Sequence, residues 1–107
     1  MPNPNIGTAN VLVGAAKVSA ATPPVVTNAV GISGVTRTGA GIWVVTIVEP
    51  TDFTSRFVTL TSFFATHGAL ELDPAVQTDV TIGVLGFLLN AAADLAWEIK
   101  VERVSVP

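Results

Sequence analysis

The segment from Trp97 to Glu102 alternates strictly between apolar and charged side chains. The apolar positions are Trp97, Ile99 and Val101, and the charged positions are Glu98, Lys100 and Glu102. Successive side chains of a β-strand point to opposite faces of the sheet. This period of two therefore predicts a strand with one face in a hydrophobic core and the other in solvent.

Three further runs have the composition of strands. They lie at residues 42–48, 56–64 and 80–89 and are rich in β-branched and aromatic residues. Glycine- and proline-containing turns separate them, among them Gly39-Ala40-Gly41 and Asp73-Pro74. Several short strands between turns predict an all-β domain, either a small β-sandwich or a jelly-roll-like barrel.

The scarcity of charge constrains the surface of such a domain. Half of the chain is hydrophobic and 12% is charged, whereas a typical soluble domain has about 25% charged residues. The longest apolar run, residues 80–89, is too short for a transmembrane helix, which needs ~20 residues, so we expect no membrane role. We expect other protein to cover much of the surface, in a homo-oligomer for which a trimer is the leading state.

The five basic residues are scattered and the net charge is −3. Nucleic-acid-binding proteins carry a clustered basic surface, so no nucleic-acid partner is expected.

The chain divides near residue 30. Residues 1–30 contain one charged residue, Lys17, whereas residues 31–107 contain all seven aromatic residues. We therefore expect an extended N-terminal arm over residues 1–30 and a β-sandwich domain over residues 31–107. A helix over residues 10–20 is possible within the arm, because alanine favours helices.

The arm has too few large side chains to dock by burial alone. Burying its six larger side chains gains at most ~9–15 kcal/mol, whereas ordering about 20 backbone positions costs on the order of 20–40 kcal/mol. Main-chain hydrogen bonds to a sheet edge, such as that of a neighbouring protein, would make up the difference. The predicted partner-binding residues of the arm are Val11, Leu12, Val13, Val18, Val25 and Val26.

Candidates for catalysis or metal binding are few. His67 is the sole histidine, and a general base needs an oriented partner that the sequence does not indicate. With no cysteine, disulfides and thiolate metal sites are excluded. Glu71, Asp73 and Asp79 lack the alternating oxygen ligands of a calcium loop. We therefore predict that the protein is not an enzyme and has no cofactor or metal site.

Two glycine-containing segments resemble functional motifs only loosely. Residues 31–34 (GISG) have the wrong glycine spacing for a nucleophile elbow, and a turn is the simpler interpretation. Residues 39–41 (GAG) join two strands rather than opening a helix, so phosphate binding is not supported.

Trp43 and Trp97 offer two interpretations. Exposed on a surface, they would form a sugar-stacking platform. Each lies within an apolar strand, which favours packing in a core or an interface.

The segment Val35–Ile47 (VTRTGAGIWVVTI) joins a strand containing threonine and arginine to an aromatic, β-branched strand through a glycine turn. It resembles a hairpin of small virion structural proteins of tailed bacteriophages. The C-terminal end, with residues 93–96 ahead of a final strand at 97–103, adds to this resemblance, which covers about residues 31–107. It implies a β-sandwich protein of the particle, often oligomeric, used in capsid decoration or in tails and fibres.

The expected function is therefore that of a phage capsid decoration or cement protein. It would bind the major capsid protein of the head shell as an oligomer, clamped by its arm, and reside in the virion after assembly in the host cytoplasm. The alternatives are a phage tail or fibre component and a carbohydrate-binding β-sandwich module.

Overall fold

The structure, a computed structural model of the 107-residue chain, describes residues 10–63, 68–89 and 91–104. Its strands are β1 (Asn10–Val18), β2 (Val26–Val30), β3 (Ile32–Gly39), β4 (Ile42–Ile47), β5 (Phe57–Ser62), β6 (Gly68–Asp73), β7 (Thr81–Leu88), β8 (Ala91–Ala92) and β9 (Trp97–Val104). The helical content of these residues is a single 3₁₀ turn, Pro74–Val76. The prediction of an all-β chain is confirmed.

The strands form two antiparallel sheets. Sheet A has the order β2-β1-β9-β5, and sheet B has the order β3-β4-β7-β6, with β8 pairing with the end of β7. The chain passes from sheet A to sheet B at Gly31, which has a φ of 65°. A Cβ atom at Gly31 would collide with the carbonyl oxygen of Val13, so this tight crossing requires glycine. The two packed sheets make the domain a β-sandwich.

The four strand runs predicted from the sequence are β4, β5, β7 and β9, each within two residues of its expected limits over the described residues. Gly39-Ala40-Gly41 is the turn between β3 and β4, as predicted, and Gly41 adopts a φ of 69°. The Asp73-Pro74 turn is also present. There the Asp73 carboxylate accepts a 3.0 Å hydrogen bond from the Ala75 amide and caps the 3₁₀ turn.

The hydrophobic core lies between the sheets. Trp97, Ile99 and Val101 of β9 are fully buried, so the inward face predicted by the alternation is confirmed. From sheet B, the ring of Trp43 packs against that of Trp97 with centroids 5.4 Å apart and planes inclined by 59°. The other buried core members are Val13, Ala16, Val18, Val45, Ile47, Ile82 and Val84.

Residues 10–30 belong to the sandwich, which corrects the expectation of an arm ending at residue 30. β1 is an inner strand that pairs with β9 along its whole length and with β2 on its other side. The expected requirement for main-chain hydrogen bonds is met by strands of the same chain instead of a neighbour's sheet edge. The possible helix over residues 10–20 is also wrong, because Asn10–Val18 is extended. Residues 1–9 lie outside the described residues.

Candidate interaction surface

The six residues predicted to bind a partner do not form one surface. Val13 and Val18 are buried in the core, and Val11 and Val26 are partly buried. Leu12 and Val25 are exposed, by 48% and 57%. These two lie near opposite ends of β1, because Val25 directly precedes Val26, the register partner of Val18. The interaction site proposed from the sequence is therefore not assembled by the fold.

A different apolar cluster lies on the outer face of sheet A. Glu102 pairs with Leu12 on one side and with Phe57 on the other, so these three form a row across β1, β9 and β5. Val104 follows Glu102 on the same face of β9, and Val30 of β2 joins through its pairing with Ala15. The four large apolar side chains, which we name the sheet A patch, are Leu12, Val30, Phe57 and Val104. Each is between 36% and 59% exposed.

Sequence reasoning found Leu12 but missed the other members of the sheet A patch. One signal was available: once Trp97, Ile99 and Val101 are assigned to the core, Val104 falls on the outward face with Glu102. Val30 and Phe57 join the patch through strand pairings between distant parts of the chain. No local pattern reveals such pairings.

Charged side chains occupy the same outer face beyond the sheet A patch. Lys17 and Glu98 are register partners on β1 and β9, and Lys100 lies two residues beyond Glu98. The Lys17 Nζ atom also lies 5.8 Å from the ring centroid of Phe63, within the range of a cation–π interaction. Glu102 lies between Leu12 and Phe57 in the same row, so the sheet A patch combines apolar and charged side chains, as protein interfaces commonly do.

The outer face of sheet B is also largely apolar. Ile42 pairs with Leu85, and Val44 lies on the same face of β4. Glu71, the register partner of Leu85, brings a charge to this face. Part of the face is covered within the chain, because Gly83 lies beneath Asp73 and Val76: a Cβ atom there would be 2.8 Å from the Cβ of each. Sheet B is therefore less open to a partner than the sheet A patch.

An ion pair holds one end of the sandwich together. The Arg37 Nε donates to both carboxylate oxygens of Asp94, at 3.0 and 2.9 Å, and the Gly41 amide donates to Asp94 Oδ1 at 2.8 Å. The hydrogen bond from Arg37, and after it that from Gly41, lowers the pKa of Asp94 below its ordinary value. This arrangement fixes the loop before β9 against the β3–β4 hairpin, and it presents no unpaired group for chemistry.

Arg56 fixes a second loop. Its guanidinium donates to the carbonyl oxygens of Thr78 and Thr81, at 2.7 and 2.9 Å, and to the side-chain oxygen of Gln77 at 3.0 Å. Burial lowers the pKa of Arg56, and the nearby charge of Asp79 opposes that shift. The side chain joins the start of β5 to the turn before β7.

Three of the groups considered for catalysis or metal binding, Ser33, Asp73 and Asp79, have structural partners. The Ser33 hydroxyl donates to the carbonyl oxygen of Thr46 at 3.2 Å. Asp79 Oδ1 accepts a hydrogen bond from the Phe53 amide at 3.3 Å. His67 lies outside the described residues. Within residues 10–63, 68–89 and 91–104, no group of three or more acidic, histidine or cysteine side chains is placed to hold a metal ion.

Neither tryptophan offers a face to a sugar. Trp43 is 1% exposed and Trp97 is fully buried, because both rings fill the space between the sheets. The interpretation of these two side chains as core residues is confirmed, and the stacking platform is ruled out for both.

The surface of the described residues has open hollows, two of which lie beside loops. One, of about 320 Å³, lies between the β1–β2 connection at Pro23 and Pro24 and the β3 residues Val35 and Arg37. The other, of about 480 Å³, lies beside the ion pair of Arg103 Nε with Glu49 Oε2 at 3.0 Å. Both are open rather than enclosed, unlike a typical small-molecule site.

Comparison of the chain with protein-family models, curated proteins and solved structures found no match in any of the three. The described residues also contain no helix with the length and apolar composition needed to cross a membrane. The function of the chain is therefore inferred from the geometry of the sheet A patch.

Proposed function

We propose that the chain is a structural protein of a tailed-bacteriophage virion, a capsid decoration or cement protein that binds the major capsid protein of the head shell as an oligomer. The observation that carries this proposal is the sheet A patch. It places four large, half-exposed apolar side chains on one face of an ordered sheet.

The energetics of the patch favour a permanent contact. Fully burying an exposed leucine, valine or phenylalanine gains roughly 1.5–3 kcal/mol. The four side chains are between 36% and 59% exposed, so covering each of them gains a part of that free energy. Groups of large apolar side chains exposed on one face, rimmed by polar residues, commonly mark interaction sites. A docked partner would cover Leu12, Phe57 and their neighbours, while Lys17 and Lys100 would orient the contact from the side.

A rigid sheet face replaces the arm as the proposed anchor. Because β1 pairs with β9 and β2 pairs with β1 within the domain, the anchor needs no folding step on binding, and attachment avoids the cost of ordering the backbone of an arm. The proposed location of the working protein is the virion, after assembly in the host cytoplasm.

The test uses virions of the phage that encodes this chain, together with head shells assembled without it. Wild-type protein is expected to co-purify with virions and to saturate the shells. Leu12→Glu is expected to lose binding, because it replaces an apolar side chain of the sheet A patch with a second carboxylate beside Glu102. Val25→Glu is the matched control, since Val25 is equally exposed but lies outside the patch.

Loss of binding by Leu12→Glu but not by Val25→Glu would support the sheet A patch as the surface that contacts the shell. Equal binding by both variants would contradict it, and absence of the chain from virions would overturn the virion assignment. Electron microscopy of labelled protein on the tail instead of the head would replace decoration by a tail or fibre role.

A further inference from the structure

The strand β5 and the residue after it form a near-palindrome. Residues 57–63 read FVTLTSF, which has the same residue type at each outward position in both directions. Phe57, Thr59, Thr61 and Phe63 are the exposed positions, and Val58, Leu60 and Ser62 are partly buried. Phe63 continues the strand direction, because its amide donates to the carbonyl oxygen of Ala96 at 2.9 Å.

This palindrome lies on a sheet edge. β5 is the last strand of sheet A, and no strand among residues 10–63, 68–89 and 91–104 pairs with its other side. Its register with β9 is unbroken from Phe57↔Glu102 to Ser62↔Trp97. The strand contains no charged residue and no proline.

The other edges carry the features that prevent strand addition. β2 has a register shift beside Asn28, whose φ is 53°, and β3 has a shift at each end of its pairing with β4. β6 carries the charged residues Glu71 and Asp73. Bulges and charges are the usual means by which proteins protect sheet edges. β5 has neither, so its edge remains suited to pairing.

A second copy of the same strand fits this edge. An antiparallel pair related by a twofold axis at Leu60 places Phe57 opposite Phe63 of the second copy and Thr59 opposite Thr61. Aromatic pairs and threonine pairs are favourable cross-strand neighbours. A twofold interface must be self-complementary, and a palindromic strand meets that condition.

We propose that two copies of this chain join edge to edge through β5, antiparallel, with the twofold axis at Leu60. The two copies of sheet A, each with four strands, then form one continuous sheet. This inference rests on the sheet edge and is independent of the virion assignment. A twofold contact is complete with two copies, so this inference favours a dimer over the trimer expected from composition.

The proposed register can be tested by cross-linking, because the chain has no cysteine of its own. A mixture of Thr59→Cys and Thr61→Cys proteins is expected to form a disulfide-linked dimer on mild oxidation. Each variant alone is expected to cross-link far less. Its two thiols would sit on diagonal positions roughly 7–8 Å apart, beyond the usual limit for a disulfide. Failure of the mixture to cross-link, or equal cross-linking by either variant alone, would overturn the register.

The dimer itself can be tested by sedimentation velocity at micromolar concentration. Wild-type protein is expected to sediment as a dimer. Thr59→Glu combined with Thr61→Glu places like charges opposite each other across the interface and is expected to give a monomer. Thr59→Glu combined with Thr61→Lys places opposite charges there and is expected to restore the dimer.

Both positions are exposed on the single chain, so both double variants are expected to keep the strand-rich circular dichroism spectrum of the wild type. A monomeric wild type, or the same oligomeric state for both double variants, would contradict the proposal.

Discussion

At the scale of single residues, the two core tryptophans stabilise the fold by burying large apolar rings, but they also bury two polar indole N–H groups. The indole N–H groups of Trp43 and Trp97 are buried, and neither has a hydrogen-bond partner among the described residues. Leaving such a donor unsatisfied costs about 1–3 kcal/mol. The rings compensate by filling the space between the sheets and by packing against each other at 5.4 Å, in the tilted geometry that aromatic pairs favour.

Replacing Trp97 with phenylalanine is therefore expected to be mild for so large a core residue. The change loses volume but removes the unsatisfied donor, and we expect a loss of less than about 2 kcal/mol in the free energy of unfolding. Ile99→Ala, at a fully buried neighbour on the same strand, is expected to cost about 2–5 kcal/mol. Urea unfolding measures both, and an equal or larger loss for Trp97→Phe would contradict this account of the indole N–H.

Alanine substitutions at two separate glycines, Gly86 and Gly34, test the packing around Trp43. A Cβ atom at Gly86 would lie 2.8 Å from the Trp43 ring and 2.9 Å from the Ala93 carbonyl oxygen. Gly86→Ala is therefore expected to cost about 1–3 kcal/mol, as for other overpacked positions. Gly34→Ala is the control, because nothing lies within 4 Å of its Cβ position. Thermal unfolding is expected to separate the two, and similar losses for both would count against the close contact at Gly86.

The Arg37–Asp94 ion pair predicts a dependence of stability on pH. Because the pKa of Asp94 is lower in the folded chain than in the unfolded chain, its contribution is complete above the unfolded value. That contribution is lost as the pH falls from about 4 through the folded value. Asp94→Asn should therefore be less stable than wild type at neutral pH, with the difference shrinking on acidification. Urea midpoints measured at several pH values test this, and a constant difference would contradict the assignment.

At the scale of secondary-structure elements, bulk and alternation decided which strands the sequence predicted. The strands β4, β5, β7 and β9 contain β-branched and aromatic side chains, and β9 alternates regularly. β1 lacks this signal because Gly14, Ala15 and Ala16 form its centre and a register shift at Val13 interrupts its pairing. Gly14 lies close to β3, because a Cβ atom there would lie 2.8 Å from Ile32 Cδ1.

The candidate interaction surface was less predictable than the fold. Its members come from β1, β2, β5 and β9, and they become neighbours only through the order and register of the strands. A sequence indicates which side chains alternate on one strand, but it does not indicate which strand lies beside it. For the same reason β6 was not predicted: its place in sheet B follows from its pairing with β7.

Truncation tests the placement of β1. Deleting residues 1–24 is expected to abolish cooperative unfolding, because it removes Val13, Ala16 and Val18 from the core and leaves one side of β9 unpaired. Deleting residues 1–9 leaves every described strand intact and is the matched control. Circular dichroism melts distinguish the two, and a cooperative, wild-type-like transition for the longer deletion would contradict the inner position of β1.

At the scale of the whole molecule, the described residues form a sandwich whose outer faces and β5 edge, instead of an arm over residues 10–30, are available for contact. The sheet A patch and the β5 edge lie on the same sheet, so joining two copies through β5 would place two patches on one continuous surface. The sheet A patch depends on one claim, that residues 10–30 complete sheet A within the same chain, whereas the β5 edge lies on the far side of β9 and does not depend on it.

Amide hydrogen exchange of the free, full-length protein tests that claim most directly. The amides of Ala16 and Val18 in β1 are expected to be protected to the same degree as those of core residues in β9, such as Ile99, because the two strands are paired in the centre of sheet A. Exchange of β1 amides at the rate of an unfolded chain, while those of β9 and β7 remain protected, would contradict the account and restore the free arm.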